Sequence, residues 1–174
     1  MLEIVKLFYQ LSLFKKAPQD IPYSLILTRL MLLIYTAISF LLFFMSAPWF
    51  KAILQVVTDL SVMLIFTRIL LFWVGKTERY QQTLSALLGT DALISFCALP
   101  ATASLITPTT ANGLTLFAFL MVVGLMLWHW AVVGHIFRHA LSQSLSFGLG
   151  IALLYMMTAY QVMGFLFPEV SVNH

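Results

Sequence analysis

The 174 residues are 61% hydrophobic and only 9% charged, against about 45–50% apolar and about 25% charged in a soluble domain, which excludes a water-solvated globule. Nine Lys and Arg against six Asp and Glu leave a formal charge of +3, too thinly spread to neutralise many phosphates, so a nucleic-acid partner is excluded as well. The single Cys97 lies inside an apolar run, permits no intrachain disulfide and reads as a small buried hydrophobe.

Residues 2 to 14 open the chain with Leu2, Val5, Leu7, Phe8, Leu11 and Phe14 on one broad side and Glu3, Lys6 and Gln10 on the other. That spacing predicts a short interfacial amphipathic helix. Lys15 and Lys16 follow, and then Pro18 and Pro22 end the helix by removing backbone donors. Residues 1–22 therefore read as a cytoplasmic amphipathic segment.

The remainder reads as an all-α, polytopic transmembrane helix bundle over 23–168, because stretches of about 20 apolar residues match a hydrocarbon core of about 30 Å. Five spans are expected, at about 24–44, 50–73, 83–106, 114–137 and 144–167, with a tail at 169–174. Pro48 and Trp49 close the first span. The connection from Gly75 to Gln82 is the most polar in the chain, and Pro100 sits late in the third span, where neighbouring helices must satisfy the carbonyl it frees. Thr107 to Gly113 forms an uncharged turn, Arg138 to Gln143 a short loop, and Pro168 stops the fifth span. The first apolar stretch starts too late, and without a small-residue cleavage pattern, to be a signal peptide.

Lys6, Lys15, Lys16, Lys76, Arg79 and Arg138 fall on one side of this arrangement and only Lys51 on the other. Positive residues are retained in the cytoplasm, so the amino terminus is expected inside and the carboxyl terminus outside.

Ionisable residues within spans cost a few kcal/mol each and usually face the bundle interior. The candidates are Arg29, Asp59, Arg68, Asp91, His129 and His135. Arg29 and Arg68 lie near the cytoplasmic boundary and can snorkel to the headgroups. Asp59 and Asp91 sit near mid-span and cannot. They read either as a proton or cation relay or as carboxyls that glue helices together by hydrogen bonds. Asp91 shares a stripe with Ser95, Ala98 and Thr102, beside the small residues Ser85, Gly89 and Ala92, which makes the third span the candidate centre of the bundle. His129, His135 and His139 do not assemble a metal or haem site: the first two are six residues apart, and the last two supply only two ligands. They read instead as a titratable interfacial patch beside Arg138, with Trp128 and Trp130 marking the membrane boundary. No nucleophile elbow, phosphate-cradling glycine loop or soluble carboxylate pair is present, so neither an enzyme nor a cofactor is expected.

Three segments carry a resemblance. Arg79-Tyr80-Gln81-Gln82-Thr83-Leu84-Ser85-Ala86-Leu87-Leu88-Gly89, with Leu99-Pro100 later in the same span, resembles the third-span entry of bacterial members of the Yip family of Ypt-interacting polytopic proteins. The run Leu127-Trp128-His129-Trp130-Ala131-Val132-Val133-Gly134-His135-Ile136-Phe137-Arg138-His139-Ala140-Leu141 is similar to that family's fourth span and following basic turn. Leu13-Phe14-Lys15-Lys16-Ala17-Pro18-Gln19-Asp20 resembles the proline segment ahead of the first span. The resemblance implies five spans, a cytoplasmic amino terminus and a place in a bacterial inner membrane. It also implies a non-enzymatic adaptor or membrane-organising role through contacts with lipids, other membrane proteins or further copies, and no catalytic residue carries over. The alternative expectation is a small oligomeric transporter or channel that uses Asp59 and Asp91 for proton or cation coupling.

Overall fold

The computed structural model describes residues 2–106 and 113–168. The expected turn at 107–112 and the tail at 169–174 lie outside the described residues. The described residues form six α-helices and no strand. Helix α1 spans Leu2–Ser12, α2 Leu25–Phe44, α3 Trp49–Trp73, α4 Tyr80–Ile106, α5 Gly113–Leu141 and α6 Leu145–Leu166. The last five are long and apolar enough to cross a membrane, and the chain is an integral membrane protein built as expected.

Local chemistry sets the helix ends. Ser24 and Ser144 cap α2 and α6, their hydroxyls accepting from the backbone N–H of Leu27 and Phe147 at 3.3 Å each. Three ends at the amino-terminal, basic end of the bundle close by a different device. Phe14, Gly75 and Ser142 adopt left-handed backbone, with φ of 59°, 70° and 54°. The residue after each donates back five positions, Lys15 to Gln10 at 2.9 Å, Lys76 to Leu71 at 2.8 Å and Gln143 to Arg138 at 3.0 Å. For α5 this moves the helix end from the expected 137 to Leu141, so Arg138 and His139 belong to the last helical turn and not to a loop. At α4, a short 3₁₀ turn at Thr77–Arg79 leads straight into the helix and takes Tyr80, Gln81 and Gln82 out of the expected connection. Pro100 faces outward and α4 continues past it.

Helix α4 is the axis of the bundle. Every residue from 83 to 92 is buried, and α2, α3, α5 and α1 all pack on it. The sequence allows this because the stripe Ser85, Gly89, Ala92 is small. A Cβ on Gly89 would overlap the ring of Phe8, so the glycine is what admits α1. The apolar side of α1, with Phe8 and Leu11 buried, is thus packed inside the bundle, while Glu3, Val5, Lys6 and Tyr9 stay exposed. Helices α5 and α6 cross at a glycine pair: a Cβ on Gly148 would strike the Gly134 carbonyl, and one on Gly134 would come within 2.6 Å of Leu149 Cδ2.

The two ends of the bundle differ. At the basic end, positions 132–137 of α5 are buried along with 83–92 of α4, and side chains cap the exposed carbonyls at the carboxyl end of α5. Lys76 Nζ donates to the Leu141 carbonyl at 2.6 Å, and Arg79 Nη1 reaches the His139 and Ala140 carbonyls and Ser142 Oγ at 3.3, 3.2 and 2.9 Å. Cations at a helix carboxyl end also complement its dipole. At the far end, by contrast, α5 from Leu114 to Leu127 is almost entirely exposed or half-exposed.

Candidate functional site

The spans meet unevenly, and the space between them is a cavity of about 320 Å³. All five contribute: Tyr35 and Ser39 from α2, Asp59 from α3, Asp91 and Ser95 from α4, His129 from α5 and Tyr155 from α6. From these residues the wall runs to Phe43 on α2, Ala98 on α4, Val122 on α5 and Ala159 on α6. Following each helix in its own direction, all four steps lead away from the basic end. The polar residues are therefore the floor of a cavity that rises toward the far end.

Two contacts organise the floor. Tyr35 Oη donates to Asp59 Oδ2. Asp91 Oδ1 and His129 Nε2 are hydrogen-bonded at 2.7 Å, with the Asp91 side chain 7% and the His129 side chain 25% accessible. Asp91 is eleven residues into α4, which at 1.5 Å per residue is about 16 Å from its start and close to mid-membrane. Here a lone carboxylate is costly, and a partner that donates a hydrogen bond or carries the opposite charge offsets part of that cost. Both carboxyls have one. Beneath the floor the rings of Phe66, Phe137 and Tyr155 pack with centroids 5.4 to 6.1 Å apart, closing the cavity toward the basic end.

The structure sorts the sequence candidates into three groups. Asp59, Asp91 and His129 come together on the cavity floor. Arg29 and Arg68 stay outside it and exposed, with the Arg68 guanidinium 5.2 Å from the centre of the Tyr80 ring. His135 is buried but serves another purpose, donating from Nε2 to the Lys16 carbonyl at 2.9 Å under the edge of the Phe14 ring. Trp128 and Trp130 also point inward rather than marking a boundary, donating to the Ser12 and Leu149 carbonyls at 2.9 and 3.0 Å. His135 and Trp128 together tie the amino-terminal segment to α5.

Sequence reading set His129 in an interfacial patch because its neighbours are tryptophans and its fellow histidines lie toward the basic end. The signal that could have placed it is position: twelve residues before the end of α5, it is at about the depth of Asp91 in α4. Tyr35 and Tyr155 were missed because a tyrosine among apolar residues carries no mark of burial. Gln55, one turn from Asp59 on α3, is also buried, and its Oε1 has no hydrogen-bond partner among the described residues. Among the described residues no three His, Cys, Asp or Glu side chains are grouped as metal ligands.

Such a floor can hold a proton between acid and base or face a positive charge with two carboxyls. It has no activated nucleophile. Comparison with protein-family models, with curated proteins and with solved structures found no match.

Proposed function

We propose that this chain is a small, non-enzymatic membrane protein that binds a proton or cation at Asp59 and Asp91 and passes it across the bilayer. The observation that carries the reading is the convergence of Tyr35, Asp59, Asp91, His129 and Tyr155 from five separate spans on one cavity. Five helices need not bring their few polar side chains to a common point merely to associate, and intramembrane ionisable groups that line a cavity mark ion and proton pathways. The excess of Lys and Arg at the basic end supports a cytoplasmic side for that end, with the cavity rising toward the outside, and the bacterial inner membrane rests on the resemblance. Membership of the Yip family rests on the segments that resemble it.

An adaptor would make its contacts through the amphipathic amino-terminal helix and the cytoplasmic loops. On the apolar side of that segment Phe8 and Leu11 are buried in the same chain, at 3% and 0% exposed, while Val5 and Phe14 stay exposed, so only part of that side is left to offer a partner.

The test is proton flux into sealed vesicles containing the purified protein, driven by an imposed potential and read by a trapped pH dye. Wild type is expected to conduct above empty vesicles and Asp91→Asn to lose that increment while keeping its helical circular dichroism. Equal flux with and without the carboxyl, together with a membrane protein that copurifies reproducibly, would return the adaptor reading.

A further inference from the structure

The cavity is larger and less polar than a proton or a bare alkali ion requires. Its volume of about 320 Å³ is the share of liquid taken by about ten waters and falls at the small end of the about 300–1,000 Å³ typical of organic-ligand sites. Above the carboxyls the hydroxyls of Ser39 and Ser95 are the polar groups, and the rest of the wall, with Leu42, Phe43, Val122, Leu125, Met126 and Met156, offers an inorganic ion nothing. Phe43, with Tyr35 and Tyr155 nearer the floor, brings aromatic rings to the lining, the side chains that attract organic cations, and the two methionines can adapt to an irregular apolar shape.

Resting on the reading above, we propose that the ligand of this site is an amphipathic organic monocation of one or two rings. Its charged head meets Asp59 and Asp91 and its apolar body fills the space between Phe43, Val122 and Met156. The floor already satisfies its own polar groups, Asp59 with Tyr35 and Asp91 with His129. A cation arriving there changes the charge of a poorly solvated site, and the balance is kept when the proton held between Asp91 Oδ1 and His129 Nε2 leaves for solvent as each cation binds. The titratable groups facing that proton are Tyr35 from α2, Asp59 from α3, Asp91 from α4, His129 from α5 and Tyr155 from α6. Cation and proton are then alternative occupants, the arrangement an exchanger needs, and the cation enters from the far end, toward which the cavity wall rises.

Benzyltrimethylammonium is the probe, because a quaternary head cannot itself release a proton. Titrated into the detergent-purified full chain in weak buffer, it is expected to bind saturably, to release about one proton per cation, and to bind more weakly as pH falls. Neopentylbenzene, the same shape without the charge, is expected not to compete, and tetramethylammonium, the head without the ring, to bind about tenfold or more weaker. Asp91→Asn is expected to weaken binding by at least about tenfold. If that variant does not fold, Asp59→Asn takes its place, and the proton count on the wild type needs no variant. Absence of saturable binding, equal competition by neopentylbenzene, or binding without proton release overturns the proposal. Carboxyl-dependent proton flux in vesicles without benzyltrimethylammonium binding would remove the organic ligand and leave the proton pathway standing. Loss of both would remove both.

Discussion

At the scale of single residues the bundle depends on backbone as much as on side chains. A Cβ on Gly75 meets nothing within 4 Å, yet its φ is 70°, so Gly75→Ala isolates conformational strain from packing. It is expected to cost about 1–2 kcal/mol, measured by unfolding in mixed micelles. Phe14 and Ser142 carry the same left-handed backbone with side chains present, and each has a use for the side chain, Phe14 against His135 and Ser142 as an acceptor from Arg79. The Asp91–His129 pair belongs to this scale as well. His129→Ala leaves the Asp91 carboxyl without its partner at mid-membrane and is expected to destabilise by about 1–3 kcal/mol, whereas His129→Gln, which can still donate to it, is expected to lose less. If alanine and glutamine cost the same, the hydrogen bond contributes little to the folded state.

At the scale of elements, two glycine contacts decide which helices touch. Gly89→Val is expected to push the Phe8 ring out of place, at about 1–3 kcal/mol, and to raise hydrogen exchange across residues 3–14. Adding Phe8→Ala to the same chain should return part of the loss, since the obstruction is a side chain. At Gly148 the obstruction is the Gly134 backbone carbonyl and the Arg138 backbone, which no side-chain truncation relieves. Gly148→Leu is therefore expected to be more damaging than Gly124→Leu, where a Cβ meets nothing within 4 Å. Equal effects in thermal melts would mean that α5 and α6 are not held by close approach.

At the scale of the whole molecule the described residues pack most closely at the basic end of the bundle, and the cavity wall rises from its polar floor toward the other. The close packing is shared among the buried stretch of α4, the ring cluster of Phe66, Phe137 and Tyr155, and α1 with the turn that follows it. The proposed pathway calls for access from the far side. In a background carrying Cys97→Ala, single cysteines at Ala98 and Ala159 on the cavity wall are expected to react with a membrane-impermeant thiol reagent added from the far side, and one at Leu88 to stay protected. Labelling at Leu88, or protection at both wall positions, would contradict a cavity open at that end.

The number of spans, their limits to within a few residues, the amphipathic opening helix and the central place of the third span were all legible in the sequence. Each follows from a one-dimensional pattern: apolar length against bilayer thickness, helical periodicity, and a run of small residues where close approach is possible. The errors at 137 and at 80–82 arose because charge marks a boundary with water while a helix runs on until its backbone turns, here at Ser142 with φ 54°. Asp59 and Asp91 stood out in the sequence because a carboxyl among apolar residues is rare. Which groups they meet there was decided by the tertiary structure alone. Hydropathy carries no order of helices around a bundle and no rotation of each about its axis, and it is those two quantities that bring His129 to Asp91, Tyr35 to Asp59 and all four to one floor.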